Sequence, residues 1–240
     1  MRLAAATGLD TATVELHQVP EPVLCVSRFD RFRQGAAVRR WHIIDGCQLL
    51  DLASSYKYER PYGDHRDVRE IRDGASLEVF FAAIKASPQP AKAKLQLLRW
   101  LIFQVLLGNA DAHAKNLSFY MTASGPVQAP AYDLICSAVY AGQVSQSFAM
   151  AVGDAFSTQE LTAYEWAQFC AVTDTHPAQV RKEIERAVRL IRKQLPEVRD
   201  AAADAGALPE IVGAISEIVE AQCQRQLDLV PQIRGMMAVV

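Results

Sequence analysis

Residues 106–135 read LLGNADAHAKNLSFYMTASGPVQAPAYDLI, and they hold the clearest functional signal in the chain. Their pattern predicts a strand over 117–121, a turn over 122–125 and a returning segment over 127–131. Polar side chains stand on both sides of this predicted hairpin, and they are Asp111, His113, Lys115, Asn116 and Asp133. Two carboxylates and one amide separated by a short hairpin suit chemistry on a phosphate held by a divalent cation.

Each of these side chains fits a definite chemical role. Asp111 follows an apolar helix, so its carboxylate reaches a surface where it can take a proton from a hydroxyl group. Asn116 and Asp133 carry the oxygen atoms that Mg²⁺ prefers as ligands. Lys115 can place its ammonium group near a transferring phosphoryl group as a point charge. His113 suits either catalysis or a structural hydrogen bond, and the second is the commoner role for a loop histidine.

The order of these groups favours phosphotransfer. An Asp, an Asn five residues later and an Asp beyond a hairpin is the order of catalytic base and metal ligands in protein kinases. A metal-dependent phosphohydrolase built from Asp111, His113 and Asp133 is the alternative from another class. It has weaker support because the chain has only five histidines, none within four residues of another. A histidine-rich dinuclear site is therefore not predicted.

The overall composition is that of an ordinary globular protein. Of the 240 residues 50% are hydrophobic and 22% are charged, and the formal net charge is −2. This balance favours neither nucleic acid nor a membrane surface as a partner. The five cysteines form no CxxC pair, so we expect reduced thiols and a cytoplasmic location. The sequence has neither a signal peptide nor the roughly 18 consecutive apolar residues of a membrane span.

The remaining pattern predicts a mainly α fold with a small β portion at its start. An apolar run over 23–26 predicts a strand, and the polar stretch 57–73 predicts an irregular exposed loop. Periodic apolar residues predict helices over 3–7, 76–86, 91–107, 175–196 and 208–230. Ser76 begins the second of these helices, Gly108 ends the third, and Pro196 is expected to close the fourth.

Six basic residues recur along the predicted helix over 175–196, and they are Arg181, Lys182, Arg186, Arg189, Arg192 and Lys193. Glu183 and Glu185 interleave with them, and aromatic residues are missing. This pattern is more typical of a solvated helix face than of a nucleic-acid-binding patch. We therefore expect no direct binding of nucleic acid.

Two segments read GNADAHAKNLSFY (108–120) and APAYDLICSAVY (129–140). Both closely resemble the catalytic core of the HipA family, the serine/threonine kinases of bacterial toxin–antitoxin modules. Family members carry a GN-x-D-x-H-x-K-N loop followed by a P-x-YD-[LI] metal motif. Further similar segments occur in the same order, and they are VSRFDRF (26–32), IDGCQLLDL (44–52), KYE (57–59) and FAMAVG (148–153). The resemblance therefore covers almost the whole chain.

The resemblance implies a single domain over 1–240, with a protein-kinase-like large lobe over 31–240 and a remnant of the small lobe over 1–30. It implies Asp111 as the catalytic base, with Asn116 and Asp133 as Mg²⁺ ligands. It also implies ATP as cofactor, its adenine meeting a backbone hinge formed by Ser27, Arg28 and Phe29. The partners it implies are a helix-turn-helix antitoxin of the HipB type and a protein substrate such as an aminoacyl-tRNA synthetase.

Two departures from the family pattern bear on activity. Ser27 stands where the family usually has Glu, which matters little because backbone groups read the adenine. No Gly-rich phosphate loop occurs, and no lysine precedes Lys57, so alignment of the phosphates should suffer. We therefore expect weak binding of ATP·Mg and little phosphotransfer by the chain alone.

Three interpretations of the chain remain open at this point. In the first, it is a kinase large lobe that a separate small-lobe chain completes. In the second, it is a non-catalytic module that binds a partner such as an antitoxin. In the third, it is the metal-dependent phosphohydrolase. The first, a HipA-like kinase fold with its catalytic residues retained, is the one the sequence favours.

Overall fold

A helix that is buried on almost every side runs through the middle of the core. This helix, α4 (Pro90–Leu107), has Pro90 at its first position and ends at Gly108, whose φ is +70°. Every residue from Trp100 to Leu107 is buried. The predicted helix over 91–107 and the glycine that ends it are therefore confirmed.

The computed structural model describes residues 1–240 and contains eight α-helices and seven β-strands. The other helices are α1 (Arg2–Ala6), α2 (Gly46–Leu49), α3 (Leu77–Ala83), α5 (Ala163–Val172), α6 (Pro177–Asp204), α7 (Pro209–Leu229) and α8 (Ile233–Met236). The strands are β1 (Val14–Val19), β2 (Glu21–Val26), β3 (Arg31–Gln34), β4 (Ala37–Arg40), β5 (Ile43–Asp45), β6 (Ser118–Thr122) and β7 (Gly125–Gln128). The fold is mainly α with a small β portion, as predicted.

The long helices pack around α4. Helices α6 and α7 lie against α4 and against each other, α1 packs on α6, and α8 packs on α5. A continuous hydrophobic core joins these helices to α3 and β6 through Phe80 and Phe119, whose rings stack 6.4 Å apart. Ser76 accepts a hydrogen bond from the amide of Val79, which confirms its predicted place at the start of α3.

The seven strands form three small antiparallel sheets, and only the third lies beside the predicted site. Strands β1 and β2 form one hairpin, and β3 and β4 form another. Strand β5 pairs with β6, and β6 pairs with β7 across the predicted turn. In this register Asp45 lies opposite Ser118, so the end of β5 comes next to the loop that precedes β6.

The hairpin β1–β2 exposes apolar side chains. The strand predicted over 23–26 is confirmed as part of β2, but every residue of β2 is exposed. Val19 is 71% exposed and Leu24 is 60% exposed, and Val23 and Val26 are exposed as well. This hairpin contributes little to the hydrophobic core.

Pro196 lies inside α6, so the prediction that it closes this helix is wrong. Leu195 is buried and Val198 packs against the core, so apolar contacts continue past the proline. A proline in a helix interior costs about 3 kcal/mol, and full burial of a Leu or Val side chain contributes about 1.5–3 kcal/mol. Packing against the core therefore offsets the missing hydrogen bond.

The segment 57–73 is irregular, as predicted, but it is not uniformly exposed. Glu59 is only 2% exposed and accepts a hydrogen bond from Arg72 at 2.7 Å. Its other carboxylate oxygen accepts from the amide of Ala151 at 2.7 Å. The prediction of an exposed loop is therefore wrong for Glu59, because a cation and a backbone amide compensate its burial.

Acidic residues pair with part of the basic helix face. Arg192 bonds Glu220 at 3.1 Å, while the buried Glu183 pairs with Arg99 at 2.8 Å and lies 3.8 Å from Arg186. These ion pairs join α6 to α7 and to α4.

Four of the five cysteines are buried, Cys25 is exposed, and none forms a disulfide. Burial raises the pKa of the Cys170 and Cys223 thiols to about 12, so both are packing residues rather than reactive groups. None of the helices has both the length and the apolar composition that a membrane crossing requires.

Candidate active site

The turn after α4 is built from hydrogen bonds that direct the following loop out of the core. Asn109 is buried, donates from Nδ2 to Gln104 Oε1 at 2.9 Å, and accepts at Oδ1 from the amide of Asp111 at 3.0 Å. The amide of Ala110 donates to Ser137 Oγ at 2.7 Å. These bonds fix the chain path, and Asp111 is the first exposed residue beyond the helix.

Asp111 lies at the edge of a cavity of about 570 Å³. The cavity is open to solvent, so a molecule that carries a hydroxyl group can reach the carboxylate. The Tyr58 hydroxyl donates to Asp111 Oδ1 at 2.8 Å. Burial and the neighbouring Asp111 charge raise the pKa of Tyr58 to about 12, so Tyr58 keeps its proton and is the donor in this bond.

Asn116 and Asp133 are brought into direct contact by the β6–β7 hairpin. Asn116 is buried at the end of a single 3₁₀ turn, Ala114–Asn116, and its Nδ2 donates to Asp133 Oδ2 at 2.5 Å. Asp133 is exposed and has φ +55°, a left-handed conformation that few residue types other than Gly, Asn and Asp adopt. The backbone therefore turns sharply at the point where the carboxylate reaches Asn116.

The donor chemistry of this pair fits Mg²⁺. Asn116 Oδ1 accepts one hydrogen bond, from the amide of His113 at 3.2 Å, and Asp133 Oδ1 accepts none within the chain. Both oxygens thus have free lone pairs. Mg²⁺ takes one or two protein oxygens and completes its shell with water and substrate phosphates, so a carboxylate and an amide are sufficient.

Lys115 pairs with Asp45 at the end of β5. Its Nζ donates to Asp45 Oδ2 at 2.9 Å, and Asp45 Oδ1 accepts from the amide of Gln48 at the start of α2. Burial acts to raise the pKa of Asp45, but the Gln48 amide and the Lys115 ammonium outweigh it, so the pKa of Asp45 is lowered. The carbonyl oxygen of Lys115 accepts from the Tyr132 hydroxyl at 2.6 Å.

His113 is buried behind the loop and does not line the cavity beside Asp111. Its ring meets the Tyr58 ring edge to face, with 5.3 Å between centroids, and its Nδ1 has no hydrogen-bond partner. Burial, followed by the positive charge of Lys57, lowers the pKa of His113. A neutral, packed imidazole fits a structural role better than proton transfer at the cavity.

Phe29 connects the predicted hinge to the predicted pair of metal ligands. Its ring lies 5.7 Å from the ring of Tyr132, the residue that precedes Asp133. Its carbonyl oxygen accepts a hydrogen bond from the Tyr120 hydroxyl on β6 at 3.0 Å. The hinge segment and the loop that carries Asp133 therefore form one contiguous aromatic surface.

The backbone amides of the hinge segment differ in availability. The Ser27 amide donates to the carbonyl oxygen of Thr13 at 2.9 Å, so the hairpin uses it. The amides of Arg28 and Phe29 make no hydrogen bond within the chain. Arg28 is exposed and Phe29 is half-buried, and the Arg28 side chain pairs with Asp30 at 2.7 Å.

Among the side chains predicted for the site, only Asn116 and Asp133 bond each other directly. The side chain of Asp111 bonds Tyr58, and that of Lys115 bonds Asp45. The sequence motifs assign neither of these two partners a role. Tyr58 and Asp45 occur in the family-like segments KYE and IDGCQLLDL, so their place in those segments is the signal that points to them.

The model of the HipA-like C-terminal domain matches residues 1–198. The chain therefore belongs to the HipA-like C-terminal domain family, and the resemblance seen in the sequence is confirmed. It is 35% identical to the serine/threonine-protein kinase toxin HipA of Shewanella oneidensis, over 98% of this chain and 55% of that protein. It is 34% identical to the putative kinase Y4mE of Sinorhizobium fredii, over 85% of this chain and 44% of that protein. The chain thus spans about half the length of these relatives.

The fold resembles that of several solved structures. The Shewanella oneidensis HipA, in a complex with HipB and operator DNA, has a TM-score of 0.89 and 35% identity, covering 98% of this chain and 56% of that one. The Helicobacter pylori proinflammatory kinase CtkA has a TM-score of 0.58 at 13% identity, covering 100% of this chain and 81% of that one. The second likeness extends to the fold alone, which is a kinase-like large lobe.

Proposed function

We propose that this chain is the catalytic lobe of a HipA-type serine/threonine protein kinase, which moves the γ-phosphoryl group of ATP to a protein hydroxyl. The observation that carries the proposal is the contact of Asn116 with Asp133 across the β6–β7 hairpin. Asp111 lies in the loop that leads to Asn116, at the edge of the cavity. Hydrophobic packing does not explain a contact between an amide and a carboxylate, whereas the two groups together are a suitable pair of Mg²⁺ ligands.

The residues have separate tasks in this proposal. Asp111 accepts the proton of the acceptor hydroxyl while the new oxygen–phosphorus bond forms. Asn116 and Asp133 hold Mg²⁺, which when bound neutralises charge on the phosphate oxygens. Lys115 stabilises charge on the phosphoryl group, for which its ammonium group exchanges the Asp45 carboxylate for a phosphate oxygen. His113 supports the Asp111 loop by packing rather than by proton transfer.

ATP is proposed to lie between the hinge segment and the metal ligands. The free amides of Arg28 and Phe29 are suitable donors to an adenine ring, while the Ser27 amide is already used. The Phe29 and Tyr132 rings lead from these amides towards Asp133. In this arrangement residues 1–30 contribute the hinge and the last part of a small lobe, and residues 31–240 form the large lobe of one domain.

The family also suggests partners for the chain. The Shewanella relative was solved with HipB and operator DNA, so we propose a HipB-like antitoxin as a protein partner here. Because the chain covers 55% of that relative, a further segment or a separate small-lobe chain is a second proposed partner. The protein that receives the phosphoryl group is proposed only as a serine or threonine acceptor.

Calorimetry and radiolabel transfer test the kinase proposal together. The chain alone should bind ATP weakly and only in the presence of Mg²⁺, and it should transfer little label to dephosphorylated casein until the uncovered part of the Shewanella relative is added. Asp111→Asn should abolish transfer and leave nucleotide binding intact. Absence of Mg²⁺-dependent nucleotide binding, with and without the added segment, would refute the kinase proposal.

A non-catalytic module that binds a partner is the second candidate. The exposed apolar side chains of β1–β2, among them Val19 and Leu24, favour a surface that another polypeptide covers. The phosphohydrolase alternative has no comparable support, because no three His, Cys, Asp or Glu side chains are arranged to hold a metal. Binding of HipB-like antitoxin without any nucleotide binding would favour the module.

A further inference from the structure

A single hydrogen bond fixes the side chain of Asp111. The Tyr58 hydroxyl donates to Asp111 Oδ1 at 2.8 Å, and the two residues are 53 positions apart in the sequence. No other side chain bonds or pairs with this carboxylate, and Oδ2 has no partner within the chain. Both residues line the 570 Å³ cavity. One oxygen of Asp111 is therefore held, and the other is free beside the cavity.

The backbone on both sides of Tyr58 is fixed. The carbonyl oxygen of Lys57 accepts from the amide of Ala114 at 3.0 Å, inside the same loop that carries Asp111. The amide of Glu59 donates to the carbonyl oxygen of Ala149 at 2.8 Å. The backbone position of Tyr58 is thus set by bonds that its two neighbours make.

Two further contacts restrict Tyr58. Its ring packs edge to face on His113 at 5.3 Å. A Cβ on Gly74 would lie 1.8 Å from the Tyr58 carbonyl oxygen, so only glycine permits the close approach of these two backbone segments. The hydroxyl is therefore presented to Asp111 by a preorganised frame rather than by a flexible side chain.

A carboxylate needs such a frame if one particular oxygen of its two is to accept the proton. Rotation about the terminal bond of an Asp side chain is broad and roughly two-fold, so without a partner either oxygen can face the cavity. A donor on one oxygen removes this freedom and orients the lone pairs of the other. Misplacement of a reacting group by 1 Å is enough to cost on the order of 100-fold in rate.

We propose that Tyr58 is a positioning residue for Asp111, whose hydroxyl holds Oδ1 so that Oδ2 faces the acceptor hydroxyl in the cavity. This inference rests on the proposed kinase function. The acceptor proton passes to Asp111 Oδ2 as the acceptor oxygen bonds to the γ-phosphorus and the bond to the ADP oxygen breaks. Tyr58 keeps its own proton throughout and takes no part in the making or breaking of bonds.

Tyr58→Phe removes the hydroxyl and keeps the ring packing on His113. We expect kcat for phosphotransfer to casein to fall about tenfold, with KM for ATP and for casein unchanged. Tyr56→Phe is the matched control, because the Tyr56 hydroxyl bonds only the Tyr62 hydroxyl, at 2.8 Å on the surface. This control should keep the wild-type kcat. If the loss of any tyrosine hydroxyl lowered activity, kcat would fall in both Tyr58→Phe and Tyr56→Phe.

A second measurement examines the contact without any kinase activity. Carbon-13 labelling of tyrosine rings allows the Tyr58 phenol to be titrated by NMR, with its resonance assigned from Tyr58→Phe. Because the Asp111 charge and hydrogen bond raise the pKa of Tyr58, Asp111→Asn should make Tyr58 titrate at lower pH.

The outcomes separate the two proposals. An active wild type with an equally active Tyr58→Phe variant would overturn the positioning role. The same conclusion would follow if Asp111→Asn left the pH at which Tyr58 titrates unchanged. A wild type that transfers no phosphate with the added segment, while Tyr58 still responds to Asp111→Asn, would overturn the kinase function and the positioning role with it. A selective loss of kcat together with the shifted titration supports both.

Discussion

Asn116 Nδ2 and Asp133 Oδ2 lie 2.5 Å apart although 17 positions and a β-hairpin separate the two residues. Neither β6 nor β7 carries these side chains itself, because Asn116 precedes β6 and Asp133 follows β7. The hairpin therefore acts as a spacer of fixed length, and the site depends on its register. This relationship explains why a short, otherwise ordinary hairpin interrupts a largely helical chain.

The left-handed conformation of Asp133 separates its chemical role from its structural one. Asn tolerates the φ of +55°, so Asp133→Asn should keep the wild-type free energy of unfolding and weaken MgATP binding at least about tenfold. Asp133→Ala should show the same binding loss and also lose about 1 kcal/mol of stability. Calorimetry and urea denaturation measure the two effects, and wild-type MgATP affinity in Asp133→Asn would disprove the ligand role.

The Lys115–Asp45 pair predicts a pH-dependent contribution to stability. The pKa of Asp45 is lower in the folded chain, so the stabilisation is present above its unfolded pKa of about 3.9 and is lost as pH falls. Asp45→Asn keeps a helix-capping residue and removes the charge, so it should cost about 0.5 kcal/mol at pH 7 for this partly exposed pair. Urea denaturation at about pH 7 and pH 3 should show the difference shrinking; a constant difference would contradict the prediction.

The buried carboxylate of Glu59 predicts a non-additive pair of substitutions. Arg72→Ala leaves Glu59 without its cation and should cost about 3 kcal/mol, the low end for a broken buried pair because Arg72 is 36% exposed. The double variant Glu59→Gln with Arg72→Ala should be more stable than Arg72→Ala alone, since the unpaired charge is gone. Thermal denaturation of Glu59→Gln, Arg72→Ala and the double variant measures this coupling, and strictly additive losses would show that the charge is not the cause.

Two glycines predict opposite responses to the same substitution. At Gly108, with φ +70°, a Cβ would lie 3.0 Å from the Cβ of Ala138, so Gly108→Ala should cost about 1–2 kcal/mol. At Gly213, inside α7, a Cβ meets nothing within 4 Å, so Gly213→Ala should stabilise by about 0.5–1 kcal/mol. Denaturation midpoints of both variants measure the difference, and an equal change at the two positions would contradict this account.

Local sequence patterns are sufficient to predict the elements that frame the site. The apolar run before Gly108 predicts α4, and the turn residues over 122–125 predict the hairpin between β6 and β7. These elements depend on contacts between near neighbours, which periodicity and turn chemistry report. For that reason the amino-acid sequence by itself places Asn116 and Asp133 on the two sides of a hairpin.

Local sequence patterns do not predict contacts between segments that are distant in the sequence. Tyr58 meets Asp111 across 53 positions and Asp45 meets Lys115 across 70, and neither pair has a spacing that a local rule recognises. The burial of Glu59 escapes prediction for the same reason, since Ala151 lies 92 positions away. The prediction for Pro196 is wrong because the packing of its neighbours on the core outweighs local propensity.

The backbone bonds around Tyr58 have a consequence for the motions of the protein. The amide of Ala114 bonds Lys57, that of Glu59 bonds Ala149, and that of Ala149 bonds Ala110, so three loops share one set of hydrogen bonds. Such a set opens as a single cooperative unit, and its amides should exchange with deuterium at similar, slow rates. The exposed hairpin β1–β2 lies outside this set, so its amides should exchange earlier than those around Asp111.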